Sequence, residues 1–270
     1  MERRIAPLPA ARPGVLLPAS RLDLFRECPR AFYYSVVAGL PEPPAPEPLR
    51  TPAAWPPGRV VGDVLHRCLE LLGPGRSPEE CLARAAAEKA PAGWQETAAA
   101  EARLLLARFA ASDIGRELAA QPGRKEWSFI FHLPDPDEKA VYTFTGRADC
   151  LVAYPDGSLG VIDYKTDRVA AGEAAQKAGA YTLQLALYVM AAEAAGLGRV
   201  RDARLHFLRP GVTVTAAADK AATAAAAAEI LALGRHVRRH DAEEGYPGNP
   251  ARCRLCGYKV LCRATGANDN

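Results

Sequence analysis

Two aspartates and a lysine stand close together between Gly146 and Thr166, in the stretch GRADCLVAYPDGSLGVIDYKT. Two apolar β-type runs flank the turn Pro155-Asp156-Gly157; the first carries Asp149 and the second ends in Asp163-Tyr164-Lys165. Side chains alternate faces along a strand, so Asp163 and Lys165 point one way and Ile162 and Tyr164 the other. Hairpin pairing then brings Asp149 beside them. Two carboxylates and an ammonium at one strand end form a site for a hard divalent cation and an activated water. In that chemistry Asp149, Asp163 and the Tyr164 carbonyl supply oxygen ligands, and Lys165 orients the water or stabilises the transition state. D-x-K alone occurs by chance in many proteins, so the surroundings decide.

The elements that must position these residues read as follows. Ser20 is a suitable N-cap, with Asp23 three residues on, for a helix carrying Leu22 and Phe25. The run Phe32-Tyr33-Tyr34 continues as helix toward Gly39, and a Pro-rich connector from Pro41 to Pro57 has Trp55 as its anchor. A firmer helix spans about 58–72, because Val61, Val64, Leu65, Cys68, Leu69 and Leu72 fall on one stripe. Further helices are expected at 78–89 and 97–120, strands at 125–132, 141–153 and 159–165, a helix at 181–195, a strand at 203–208 and an Ala-rich helix at 216–239. This order predicts an α/β fold with a mixed central sheet flanked by helices. Residues 1–19 are expected to be a flexible, Pro-rich start, and residues 20–270 one domain.

The chain has 270 residues and a formal net charge of +3, too small to imply nucleic-acid binding by itself. Its basic residues cluster late: Arg199, Arg201, Arg204 and Arg209; Arg235, Arg238 and Arg239; Arg252, Arg254, Lys259 and Arg263. Each group reads either as a solvated face or as part of a phosphate-lined surface. Pro7, Pro9 and Pro13 interrupt any apolar secretory core, and no apolar run is long enough for a membrane span. Seven cysteines without a signal fit thiols kept reduced, and the expectation is a cytoplasmic protein.

Asp149, Asp163 and Lys165 together resemble the motif of the PD-(D/E)XK nuclease superfamily, with Asp163 at the second acidic position and Ala148 in place of the motif's proline. Gly58-Arg-Val-Val-Gly-Asp-Val-Leu-His66 is similar to the helix of the RecB-like exonuclease branch that bears a metal-binding histidine. Gln184-Leu-Ala-Leu-Tyr188 resembles that branch's Q-x-x-x-Y helix. The motifs extend from residue 20 to residue 263, and the likeness is to stand-alone nucleases rather than to a helicase-fused domain. The resemblance implies a restriction-endonuclease-like core that binds Mg2+ or Mn2+ through His66, Asp149, Asp163 and Tyr164. It implies Lys165, Gln184 and Tyr188 as further catalytic residues, and phosphodiester hydrolysis leaving a 5′-phosphate. Without it, His66 reads as an ordinary histidine beside an apolar stripe, and Gln184 and Tyr188 as polar residues sharing one helix face. Glu126 is a secondary candidate for a supporting acid, and Arg147 for a DNA contact.

Cys253-x2-Cys256-x5-Cys262 is compact, and Cys28 is the natural fourth thiol. Spacing alone admits zinc as well as an iron–sulfur cluster. The resemblance to RecB/AddB-like nucleases favours a four-iron four-sulfur (4Fe–4S) cluster, with residues 20–57 and 245–263 forming a clasp. Cys68, Cys81 and Cys150 read as small buried hydrophobes.

The leading expectation is a metal-dependent DNA exonuclease of repair, recombination or DNA degradation, acting on ends or single strands. One alternative is a catalytically silent DNA-end-binding component of a helicase–nuclease complex. A second is an iron–sulfur or zinc enzyme acting on a small molecule, which predicts a closed pocket in place of a groove. No G-x-x-x-x-G-K-S/T phosphate loop is present, so any helicase partner is a separate chain.

Overall fold

The computed structural model describes residues 16–41, 58–73, 75–121 and 123–262. Trp55, most of the Pro-rich connector and Arg263 lie outside the described residues. In chain order the elements are β1 (Leu16–Pro18), α1 (Leu22–Glu27), α2 (Pro29–Phe32), α3 (Gly58–Leu71), α4 (Pro78–Lys89), α5 (Gln95–Ala111), α6 (Asp113–Ala120), β2 (Arg124–Asp135), β3 (Ala140–Ala153) and β4 (Leu159–Lys165). There follow α7 (Ala174–Ala178), α8 (Thr182–Ala194), β5 (Val200–Phe207), β6 (Val212–Ala216) and α9 (Lys220–Arg239).

The long strand β3 organises the sheet. Antiparallel β2 covers one of its edges, from Arg124↔Leu151 to Asp135↔Ala140. The other edge is shared: β4 pairs antiparallel from Cys150↔Ile162 to Ala153↔Leu159, and β1 pairs parallel from Leu16↔Thr143 to Pro18↔Thr145. Residues 146–149 fall between these two partners. β4 continues the sheet by parallel pairing with β5, which pairs antiparallel with β6. A parallel pair needs a crossover, and α7 and α8 lie within it. The expected mixed sheet flanked by helices is what forms.

Two apolar layers sandwich this sheet. Ile162, Tyr164, Cys150 and Val152 point into a core shared with Val61, Leu65, Cys68 and Leu69 of α3 and with α4 and α5. Leu151, Val161 and Leu205 point the other way, onto Leu183, Leu187 and Val189 of α8 and Ile230 and Leu233 of α9. Strand β4 is buried from Leu159 through Tyr164, as expected of a central strand covered on both faces. Cys68, Cys81 and Cys150 are buried in the α3 layer, as small hydrophobes.

Several boundaries differ from expectation for local reasons. Residues 16–18, placed by the sequence within a flexible start, form β1, with Leu17 buried against β3. Ser20 lies inside a short 3-10 turn, and helix α1 begins without a side-chain cap. The single helix expected at 97–120 is two, because Ser112 is extended and its hydroxyl accepts the Gly115 N–H at 3.1 Å, starting α6 afresh. Residues 212–215 alternate Val and Thr and, with Ala216, pair with β5 as β6, a strand the sequence reading did not place, so that Ala216 closes a strand in place of opening a helix. Helix α9 then starts at Lys220, where the Asp219 carboxylate accepts the Ala222 N–H at 2.9 Å. Among the described residues no helix is long and apolar enough to cross a membrane.

Candidate active site

The cleft forms where the two partners of β3 part. Gly146, Arg147 and Asp149 from that uncovered stretch, Asp163 through Asp167 from the end of β4, His66 from α3, Ser20, and Gln184 and Tyr188 from α8 line an open cavity of about 370 Å³. Six of the residues singled out in the sequence for this chemistry thus meet at one place: His66, Asp149, Asp163, Lys165, Gln184 and Tyr188. The turn that joins the strands is held by Asp156, whose Oδ1 accepts from Ser158 N at 3.0 Å, while Gly157 takes a φ of +79° that favours glycine.

Each polar side chain has a definite partner. Asp149 sits one residue beyond the last β3–β4 pair, and its Oδ2 accepts the Tyr164 N–H at 2.6 Å. Its Oδ1 stands 3.4 Å from His66 Nδ1. Asp163 Oδ1 accepts from Gln184 Nε2 at 3.3 Å, and Oδ2 lies 2.8 Å from Lys165 Nζ. Lys165 Nζ also donates to Gln184 Oε1 at 3.1 Å, and Gln184 Nε2 donates to the Tyr188 hydroxyl at 2.6 Å. Gln184 therefore grips both members of the Asp163–Lys165 pair, while Tyr188 fixes Gln184. Gln184 and Tyr188 are 5% and 2% exposed, so both act in the wall of the cleft.

Two close approaches build this wall. A Cβ at Gly62, one turn before His66, would stand 2.6 Å from Thr166 Oγ1, so glycine lets α3 press against the residue that follows Lys165. Asp23 of α1 caps α8 from outside it: its carboxylate accepts from Leu183 N at 3.3 Å and Gln184 N at 3.1 Å. The sequence offers Asp23 as part of its own helix start; its service to α8, 160 residues away, leaves no local signal.

Glu126, a secondary candidate in the sequence, comes close. The register Lys125↔Cys150 and Trp127↔Ala148 sets it opposite Asp149, and its φ of +50° is strained for a residue with a side chain. Its Oε2 is buried and 2.7 Å from Arg147 Nε, without an aligned hydrogen bond. Burial and the neighbouring Asp149 charge raise the Glu126 carboxyl above its ordinary range.

Charge is divided unevenly in the cleft. Burial would raise Asp149, but His66, the Tyr164 N–H and Lys165 outweigh it and hold the carboxyl below its ordinary value. Burial raises Asp163, with the Asp149 charge adding to the effect and Lys165 opposing it. Burial disfavours the His66 imidazolium, yet Asp149 and Asp163 prevail and raise it to about 9.

These residues fit a divalent cation in donor chemistry. Asp163 Oδ2 is buried without an aligned hydrogen bond, despite the nearby ammonium. Among the described residues, however, no three His, Cys, Asp or Glu side chains are drawn together as a formed metal site. The same holds for the cysteines. Cys28, Cys253, Cys256 and Cys262 nevertheless line one pocket, and burial raises the Cys253 and Cys256 thiols, with the other cysteines adding to the effect. No disulfide joins the described cysteines.

The basic groups of the last third are mostly engaged elsewhere. Arg204 grips Glu117 at 2.6 Å, Arg235 grips Asp135 at 2.7 Å, and Arg209, Arg238, Arg239 and Arg252 pair with Glu101, Glu138, Glu138 and Glu27. They brace elements against one another. Arg147, 65% exposed, lines the cleft while pairing with Glu126 at 2.7 Å.

The family model of the PD-(D/E)XK nuclease superfamily matches residues 17–263. The chain belongs to that superfamily. The RecB-like PD-(D/E)XK resemblance read from the sequence is borne out at this level. A large ATP-dependent helicase/nuclease polypeptide of Desulforudis audaxviator (strain MP104C) is 34% identical over 210 residues, 66% of this chain. This PD-(D/E)XK chain spans only 16% of that relative's length. The crystal structure of SSO0001 overlaps 77% of this chain and 86% of its own at 17% identity, with a TM-score of 0.39.

Proposed function

We propose that this PD-(D/E)XK nuclease is a Mg2+- or Mn2+-dependent DNA exonuclease that cuts from ends or single strands, beside a separate helicase chain, in repair, recombination or DNA degradation. The observation that carries the reading is the Asp149–Asp163–Lys165 group, locked by Gln184 at the floor of an open cleft. An open groove suits a polymer, whereas a small-molecule enzyme favours enclosure.

His66, Asp149, Asp163 and the Tyr164 carbonyl would hold the divalent cation, which supplies Lewis-acid charge toward a phosphodiester oxygen. The chain's own residues do the rest. Lys165, fixed between Asp163 and Gln184, presents its ammonium to the attacking water and to the charge that grows on the phosphate. Arg147 neutralises a phosphate at the rim, and Tyr188 keeps Gln184 turned toward Lys165. The four clasp cysteines are read as ligands of a 4Fe–4S cluster of structural role, with zinc as the rival occupant.

The test uses the full chain, purified anaerobically and kept reduced, with end-labelled linear DNA and covalently closed circular DNA. Linear DNA is expected to be shortened to 5′-phosphorylated products with Mg2+ or Mn2+, while closed circles survive. Asp163→Ala should lower cleavage by about a thousandfold or more, the scale on which a lost transition-state contact acts. Wild-type protein that cuts neither substrate would favour the DNA-end-binding reading. Equal cutting of closed circles would replace exonuclease with endonuclease.

A further inference from the structure

Lys165 has a third neighbour that does not line the cleft. Its Nζ lies 4.1 Å from the centroid of the Tyr181 ring, at the start of α8. The Tyr181 hydroxyl donates to Asp167, 2.9 Å from each carboxylate oxygen, and Asp167 is two residues beyond Lys165. Lys177 steadies the same carboxylate at 3.3 Å. The ring is therefore tied to the segment that carries the lysine through its hydroxyl and through its face.

We propose that Tyr181 is a positioning residue for the Lys165 ammonium, an inference that rests on the reading of Lys165 as the ammonium of a phosphodiester-cleaving site. Tyr181 also packs against the apolar layer that holds Phe207, 6.5 Å away and tilted, so its body is seated in the core while its face meets the ammonium. The chemistry of the three anchors differs in a useful way. Asp163 is a carboxylate that a divalent cation would also claim, and its hold on the ammonium weakens when that charge is shared. The Gln184 amide oxygen and the Tyr181 face are neutral, and an aromatic face attracts an ammonium without offering a ligand oxygen. Tyr181 thus keeps Lys165 in place whichever partner Asp163 serves. Its hydroxyl, bound to Asp167, sets the ring's orientation and is not itself aimed at the substrate.

Two readouts test this. In steady-state cleavage of linear DNA, Tyr181→Leu is expected to lower kcat about tenfold, the scale of a partly desolvated ammonium–ring contact, with KM within about twofold of wild type. Tyr181→Phe restores the ring and most of the rate. In the cation-free protein, labelling of Lys165 by an amine-acylating reagent, followed by mass spectrometry, should be several-fold faster in Tyr181→Leu than in wild type or Tyr181→Phe. Thermal melting of each variant separates this from unfolding, which would speed labelling of every buried lysine. Unchanged Lys165 labelling in Tyr181→Leu, or a kcat loss in Tyr181→Phe as large as in Tyr181→Leu, would overturn the assignment. Lys165→Ala is the control for the underlying reading: if it cleaves at the wild-type rate, Lys165 is not the catalytic ammonium, whatever Tyr181 does to its labelling.

Discussion

Two carboxylates buried side by side repel each other unless their surroundings treat them differently, as they do in this cleft. Asp149 is held anionic by His66, the Tyr164 N–H and Lys165, against the effect of its burial, while burial leaves Asp163 harder to ionise. The compensating proton sits on His66, raised to about 9. A histidine that ligates a metal must be neutral, so cation binding has to expel that proton. Below pH 9, binding of Mg2+ or Mn2+ is expected to release about one proton per cation through His66. Titration calorimetry in buffers of different ionisation enthalpy reads the release, and His66→Ala should lack it. Equal release by both proteins would remove His66 from the ligand set. The same shift has a stability consequence in the cation-free state. The His66–Asp149 pair contributes fully below the unfolded pKa of about 6.5, and that contribution is lost as pH rises through about 9. The D-x-K spacing and the hairpin turn made the meeting of Asp149, Asp163 and Lys165 legible in the sequence. The uneven charge was not, because it depends on which oxygen faces His66 and which faces Gln184.

Helix α8 carries Gln184 and Tyr188, yet its first turn is held by a residue of α1. Leading N–H groups of a helix have no partner within it, and the Asp23 carboxylate supplies one for Leu183 and Gln184. Arg26 joins the junction by donating to Thr182 Oγ1 at 2.8 Å. Asp23→Ala is expected to cost about 1–2 kcal/mol in urea unfolding with an unchanged m-value. Nuclease activity should fall further than stability explains, because Gln184 then loses its fixed backbone. Asp23→Asn keeps an acceptor oxygen and should recover most of both. A stability unchanged in Asp23→Ala would show that the cap is not holding α8. Such a link is invisible in the sequence, where Asp23 reads as part of the opening of its own helix. Helix α3 was legible because a period repeated over several turns leaves one consistent face, whereas α8 is apolar on nearly every side and was legible only as a mostly apolar run. β1 and β6 were not. At three and five residues they are too short for alternation to stand out, and their pairing with β3 and β5 is set by distant backbone.

At the scale of the whole chain, the segments around residues 28–34 and 258–262, far apart in sequence, meet in a small separate core. Cys28, Ala31, Tyr34, Tyr258 and Cys262 bury one another apart from the two large layers on the sheet. Polar contacts reinforce the junction: Asn249 Nδ2 donates to the Glu27 carbonyl at 2.8 Å, the Tyr258 hydroxyl to the Leu40 carbonyl at 3.0 Å, and Arg30 and the Tyr34 hydroxyl both hold Glu243. A cluster this small gains little from burial, since little apolar surface is removed from water. What would stabilise it is a link between Cys28 and the Cys253–Cys262 segment, because tying distant points of a chain lowers the entropy of its unfolded state. If the proposed link is a bound metal, proteins with Cys28→Ser or Cys256→Ser are expected to lose that metal and about 3 kcal/mol of stability, roughly 6–12 °C in Tm for a domain of this size. Cys68→Ser, which alters a thiol of the α3 layer, should keep its full metal content whatever it does to stability. Hydrogen exchange would locate the loss: amides of residues 28–40 and 246–262 should open first, while α3 and β4 stay protected. Iron and sulfide analysis distinguishes the occupant, with about four of each per chain for a 4Fe–4S cluster and about one zinc for its rival. A Cys28→Ser protein that retains both its metal and its Tm would remove Cys28 from the ligand set, whereas one that loses its metal and keeps its Tm would mean that Arg30, Tyr34 and Asn249 hold the junction and that the clasp needs no metal.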